Sequence, residues 1–198
     1  SRAKPAPTGA RPACRARSAG LCLASRIVLE RTVSDLIRLY SYWRSSAAYR
    51  VRIALNLKAL RYDYLAVDLA GAGGQQHAVE FHKLNPQELL PVLIDGERVV
   101  RQSMSIIEYL AEVYHTSGYA LMPPTGRERA RVRSIAQLIA CDIHPLNNLR
   151  VLGQLQQQFG ADQGQKEAWM RHWMDAGFVA LEEMLGGTSV SVVESDVL

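Results

Sequence analysis

Arg44, Ser45 and Ser46 follow the strand-like run "LIRLYSY" and stand where a helical period begins. A helix start leaves backbone N–H groups unpaired and gathers roughly half a positive charge. Two hydroxyls placed there can simply cap the helix, or they can hold something reactive at its positive end. Arg44, Arg50 and Arg52 flank them. Cations in a first turn oppose the helix dipole, so a negative group is expected to offset them: an acidic side chain from elsewhere, or an anionic ligand. Two other stretches carry the same kind of signal. In "ELLPVLIDG", Pro91 stands at the start of a strand, where a tight turn favours a cis bond. In "RQSMSIIEYL", a second helix start carries hydroxyls. Each, taken singly, is also an ordinary cap or strand-start proline.

Other chemistries find less support. Cys14, Cys22 and Cys141 are far apart, odd in number and never in a Cys-x-x-Cys pair. A disulfide framework, a zinc site and a dithiol redox motif are therefore not expected, which suits a reducing cytoplasm. His77, His82, His115, His144 and His172 show no metal-ligand spacing, and no metal is assigned.

The elements that must position these residues are readable from period and punctuation. "LIRLYSY" reads as a strand, and from Ser46 the apolar positions Ala47, Val51, Ala54 and Leu55 recur at helical spacing. "YDYLAVDL" reads as a second strand, followed by a Gly-rich connection and a short helix around 75–84. In "PVLIDGERVVRQ", Asp95-Gly96 between two apolar runs predicts a hairpin. "SMSIIEYLAEVY" predicts a helix starting at Ser103 or Ser105, with Glu108 completing a capping box from Ser105. Strand, helix, strand, helix, strand, strand, helix makes a compact α/β unit over 35–115. After a Pro/Gly-bearing linker at 116–126, two long runs with apolar stripes predict an all-helical domain over 127–186, with Trp169 and Trp173 on one packed face.

With 198 residues and 48% hydrophobic content, the chain can bury one sizeable core or two small ones. Its apolar runs are too short to span a bilayer, which needs about 20 residues, so no membrane partner is expected. Residues 1–35 hold seven Lys or Arg against two acids, whereas the whole chain is only +4. Residues 36–198 are thus one charge short of neutral, and they give no electrostatic case for nucleic acid. The Arg-, Ala-, Pro- and Ser-rich residues 1–34 lack a sustained period and are expected to be disordered, either an organelle-type leader or an upstream artefact.

In order along the chain, "YWRSSAAYRVRIALNLK", "GGQQ", "LNPQELLPVLIDG", "QSMSIIEYL" and "IHPLNNLRVL" resemble the zeta class of glutathione transferases, above all the bacterial-type maleylacetoacetate isomerases. The resemblance runs from about Leu36 to Leu185. It implies a thioredoxin-like N-terminal domain, α/β in class, joined to an all-α C-terminal domain, usually as a homodimer. It implies glutathione as cofactor and a small maleyl compound as substrate. By the resemblance, Ser45 donates its hydroxyl to the glutathione sulfur; Arg44, beside that position in the sequence, either receives a substrate carboxylate or forms a structural ion pair. Ser46, Ala47, Ala48, Tyr49 and Arg50 form the helix start of the glutathione site. Gln76 contacts the peptide, Leu90 before Pro91 pairs its backbone with the cysteine, and Gln102 and Ser103 hold the γ-glutamyl end. His144, Asn148, Leu149 and Arg150 fall on the stretch that approaches glutathione, across the dimer by the resemblance, His144 standing where many members have Gln. Many zeta enzymes read Ser-Ser-Cys where this chain has Ala47, so the thiol is supplied by glutathione rather than by the protein.

The implied activity is cis-trans isomerisation of maleylacetoacetate to fumarylacetoacetate in tyrosine and phenylalanine catabolism. A general glutathione transferase or a maleylpyruvate isomerase is the alternative, and a non-catalytic glutathione-binding module a second. Residues 187–198 do not resemble the family. The helical domain is expected to be incomplete, with two principal helices and apolar side chains near Leu138, Trp173 and Leu181 partly exposed.

Overall fold

The computed structural model describes residues 36–71 and 73–186; the expectations for 1–34 and 187–198 lie outside them. Strand β1 (Ile37–Ser41) alternates buried and outward positions, with Ile37, Leu39 and Ser41 inside. Helix α1 (Ser46–Leu57) follows, burying Ala48, Val51, Ala54 and Leu55 on one stripe. Strand β2 (Tyr62–Ala66) returns parallel to β1. The helix expected around 75–84 is broken in two. A 3₁₀ turn at Gln75–His77 and helix α2 (Val79–Leu84) are separated by Ala78, whose backbone is extended. Strands β3 (Val92–Asp95) and β4 (Arg98–Arg101) form the hairpin, its turn using Gly96 at φ 59°. Helix α3 (Ser103–Val113) completes the α/β unit.

The sheet order is β2-β1-β3-β4, with β3 antiparallel to both neighbours. Ile37, Leu39 and Leu93 face α1 and α3, where Val51, Leu55, Ile106 and Leu110 close the larger core. Val92 on the opposite face meets Phe81 of α2 and Val67 in the smaller one. Truncating one of these fully buried side chains to Ala costs about 2–5 kcal/mol.

The capping box expected at Ser105 does not form. The helix already begins at Ser103, because Gln102 turns the chain with φ 66°, and Glu108 instead accepts from Arg133 Nε at 2.6 Å. That bond ties α3 to α4 (Gly126–Gln137), which opens the helical domain one residue before its expected boundary. Thr125 caps α4 by accepting from the Glu128 N–H.

The first long run is not one helix. After α4 it widens into a π-helical segment at Leu138–Ile143, then a 3₁₀ turn at Pro145–Asn147, and resumes as α5 (Leu149–Phe159). Pro145 cannot supply an N–H, so the ladder is interrupted there. With α6 (Gln163–Gly186) the described residues of the domain hold three α-helices rather than two principal ones. Trp169 and Trp173 stack edge to face at 5.7 Å, and Trp169 Nε1 donates to Leu146 O at 2.8 Å. Beyond them the apolar side chains of Phe178 and Val179 are exposed.

Candidate functional site

Strand register gathers the candidate residues at one end of the sheet. Ser41 pairs with Ala66, Tyr40 with Val92, and Val92 with Arg101. The C-terminal end of β1, the loop after β2, the start of β3 and the end of β4 therefore share an edge. From that edge spring Ser45, Gln76, the cis Leu90 to Pro91 peptide bond, and Gln102 with Ser103. The order across the edge is fixed: Gln76 on the β2 side, Leu90 in the middle, Gln102 and Ser103 on the β4 side.

Ser45 is the N-cap of α1, with φ −74° and ψ 111°, and its Oγ accepts from the Ala48 N–H at 3.1 Å. The cap uses a lone pair only, so the hydroxyl proton stays free to donate. Cap and donor are thus compatible roles for one side chain. Ser46 and Ala47, the first two helical residues, have no carbonyl one turn behind to receive their N–H groups. Ala48 is fully buried with its N–H spent on Ser45, which makes it part of the cap rather than a contact surface. Arg44 is exposed, its guanidinium 5.6 Å from the Trp43 ring centre, and no described carboxylate pairs with it. Tyr49 is exposed beneath Arg52, 4.9 Å away. No acidic side chain stands in the first turn of α1.

Arg50 turns inward and joins the two domains. It donates to Ser103 Oγ at 3.2 Å and to His144 Nδ1 at 3.0 Å. Burial pulls the Arg50 pKa below its ordinary value, with Cys141 opposing. Burial likewise lowers His144, and the Arg50 charge lowers it further. A guanidinium only donates, so His144 Nδ1 must be a lone pair and its ring neutral. Ser103, accepting from Arg50, keeps its own proton for a ligand. Gln102 Nε2 donates to Gln87 Oε1 at 2.7 Å, and Pro91 is buried.

Within the single chain, three of the expected residues stand apart from this edge. Asn148 Oδ1 caps α5 by accepting from the Arg150 N–H, while Leu149 and Arg150 are exposed. Among the described residues no hydrogen bond links these three to the α/β unit. Conversely, Gln87, His77, His82 and Glu88 meet this edge without a sequence signal. Glu88, at φ 56°, reaches back from the turn after α2 to both histidines, and that convergence depends on a backbone turn no spacing announces. No group of three or more His, Cys, Asp or Glu among the described residues is placed to hold a metal ion.

Residues 39–118 match the domain family described as glutathione S-transferase, N-terminal domain. A probable maleylacetoacetate isomerase of Vibrio cholerae is 56% identical over 151 residues, 76% of this chain and 69% of that protein. A maleylpyruvate isomerase of a Ralstonia species is 47% identical over 150 residues, 75% of this chain and 68% of that one. The solved maleylacetoacetate isomerase of Methylobacterium extorquens, with bound malonate and glutathione, superposes with a TM-score of 0.73 at 39% identity, covering 78% of this chain and 71% of that structure. The thioredoxin-like sheet is that of a glutathione transferase N-terminal domain. Within that class, the chain belongs to the zeta family, that of the maleylacetoacetate isomerases.

Proposed function

We propose that this chain is a glutathione-dependent isomerase that converts a maleyl substrate, maleylacetoacetate, into its fumaryl isomer. The observation that carries the reading is Ser45: its Oγ caps α1 through Ala48 while its proton remains available, at the positive end of a helix with no acid in its first turn. The chain's residues fit the peptide along the sheet edge. Ser45 and the Ser46 and Ala47 N–H groups face the sulfur, the Leu90 backbone the cysteine, Ser103 and Gln102 the γ-glutamyl end, and Gln76 the far end.

Glutathione held by these residues would supply a thiolate nucleophile for reversible addition to the substrate's cis double bond. Ser45 and the helix start favour thiolate over thiol. Arg44, exposed and without an acidic partner among the described residues, is free to take a substrate carboxylate in a bidentate grip. Arg50 holds Ser103 in place for the γ-glutamyl group and carries His144 to the same edge. The same reading implies a cytoplasmic homodimer; no described helix is long and apolar enough to cross a membrane. Sedimentation at twice the chain's 22.0 kDa checks the dimer.

Incubation with maleylacetoacetate or maleylpyruvate, with and without glutathione, tests the function. The trans isomer is expected only with glutathione, and faster from maleylacetoacetate. Glutathione conjugates of simple electrophiles forming without any isomerisation would favour the general transferase instead.

A further inference from the structure

Arg44, Arg50 and Arg52 surround the start of α1, and each is held differently. Arg50 spends N–H groups on Ser103 and His144. Arg52 lies against two rings, 4.9 Å from the centre of Tyr49 and 5.9 Å from that of Tyr64. Arg44 makes no hydrogen bond or ion pair among the described residues. What meets it is the Trp43 ring, whose centre is 5.6 Å from the guanidinium carbon. That is inside the roughly 6 Å over which a ring quadrupole attracts a cation.

The backbone sets this pair up. The Ser45 N–H donates to Tyr42 O at 3.0 Å, closing a four-residue turn whose two central positions are Trp43 and Arg44. Ser45 is at once the last residue of that turn and the N-cap of α1. Arg44 thus stands one residue from the hydroxyl assigned to the glutathione sulfur. On the strand side Trp43 meets half-buried Tyr42, ring centres 6.0 Å apart, so the indole is braced from behind.

The kind of grip decides what Arg44 can do. A guanidinium carries its five N–H groups in its own plane. A carboxylate from the protein would occupy that edge, whereas a ring takes the face and leaves the edge free. Trp43 restricts where the guanidinium goes without using any donor that a substrate carboxylate needs.

We propose that Trp43 is a positioning residue for Arg44: its ring holds the guanidinium by the face and keeps the N–H edge open to the substrate carboxylate. The inference rests on the reading that the maleyl substrate meets glutathione at the start of α1. Confining a long side chain in the free protein lessens the rotamer freedom lost when the carboxylate arrives. Trp43 therefore acts on affinity and not on the addition step. It is 71% exposed, so replacing it opens no cavity in the core.

The test is calorimetry of the full chain, saturated with glutathione and titrated with malonate, a dicarboxylate with no double bond to attack. Trp43→Leu is expected to weaken malonate binding about two- to five-fold, the worth of a cation–π contact at an exposed site. KM for the maleyl substrate is expected to rise by the same factor with kcat unchanged. Trp43→Phe, which keeps a ring, is expected to recover most of the loss. Arg44→Met is expected to weaken malonate more than Trp43→Leu does, and Trp43→Leu to add nothing to it. Glutathione affinity and melting temperature are expected to stay the same throughout. Malonate affinity unchanged in Trp43→Leu, or an equal loss from it in the Arg44→Met background, overturns the inference. So does a wild type that binds glutathione but no malonate, which leaves the glutathione site standing. Failure of the wild type to bind glutathione overturns the site reading itself.

Discussion

Ser45 serves two masters, and substitutions can separate them. Ser45→Ala removes both cap and donor; it is expected to cost about 1 kcal/mol of stability and about 100-fold in turnover. Ser45→Asp keeps an acceptor for the Ala48 N–H but offers no proton and repels a thiolate. It is expected to melt within error of the wild type yet be as inactive as the alanine variant. Melting curves beside initial rates check the pair, and an active Asp variant would contradict the donor role. His144 is legible differently. Its folded pKa lies below the ordinary 6.5, so the folded chain binds fewer protons than the unfolded one. The stability tied to the neutral ring is present above that value and is lost as pH falls below it. His144→Gln, whose amide oxygen accepts from Arg50 at any pH, is expected to lose less melting temperature than the wild type between pH 7.5 and 5. Equal losses would show that another group carries the acid sensitivity.

At the scale of elements, what the sequence made legible was whatever local chemistry decides. Asp95-Gly96 announces its hairpin, and Ser45 its helix. The places that defeat such reading are those where a distant partner wins. Ser105 and Glu108 have capping-box spacing, but Gln102's positive φ starts the helix two residues earlier and Arg133 claims Glu108. Residues 138–143 keep an apolar helical stripe, so nothing in their period distinguishes the π segment from an α-helix. The linker is tied to α1 in a way no pattern shows. Lys58, fully buried, donates to Tyr119 O; Ser117 Oγ donates to Lys58 O; and the Tyr119 N–H donates to Leu57 O. Gly118 makes this approach possible, at φ 56° with Leu57 O only 2.2 Å from where a Cβ would be. Gly118→Ala is therefore expected to cost about 2–4 kcal/mol, from the left-handed backbone and a clash with backbone that cannot swing aside. Urea unfolding measures it; a loss under 1 kcal/mol would mean the linker can move off α1.

Across the whole molecule, Arg50 bonds the α/β unit to the helical domain, as Arg133 does through Glu108, and 94 positions separate it from His144. That contact follows from the fold, not from any local pattern; the sheet-edge residues, by contrast, were readable because their motifs come in family order. Arg50→Met is expected to leave the sheet core intact while speeding amide exchange over 138–147 by more than tenfold, and unchanged exchange would place the inter-domain tie elsewhere. If the start of α1 binds glutathione as a thiolate, the ultraviolet difference spectrum of bound glutathione against pH shows it directly. The thiolate band is expected to appear at least one pH unit below that of free glutathione in the wild type, and to return toward the free value in Ser45→Ala. A titration that is the same in both proteins, or that matches free glutathione in the wild type, would show that Ser45 and the start of α1 do not stabilise the thiolate.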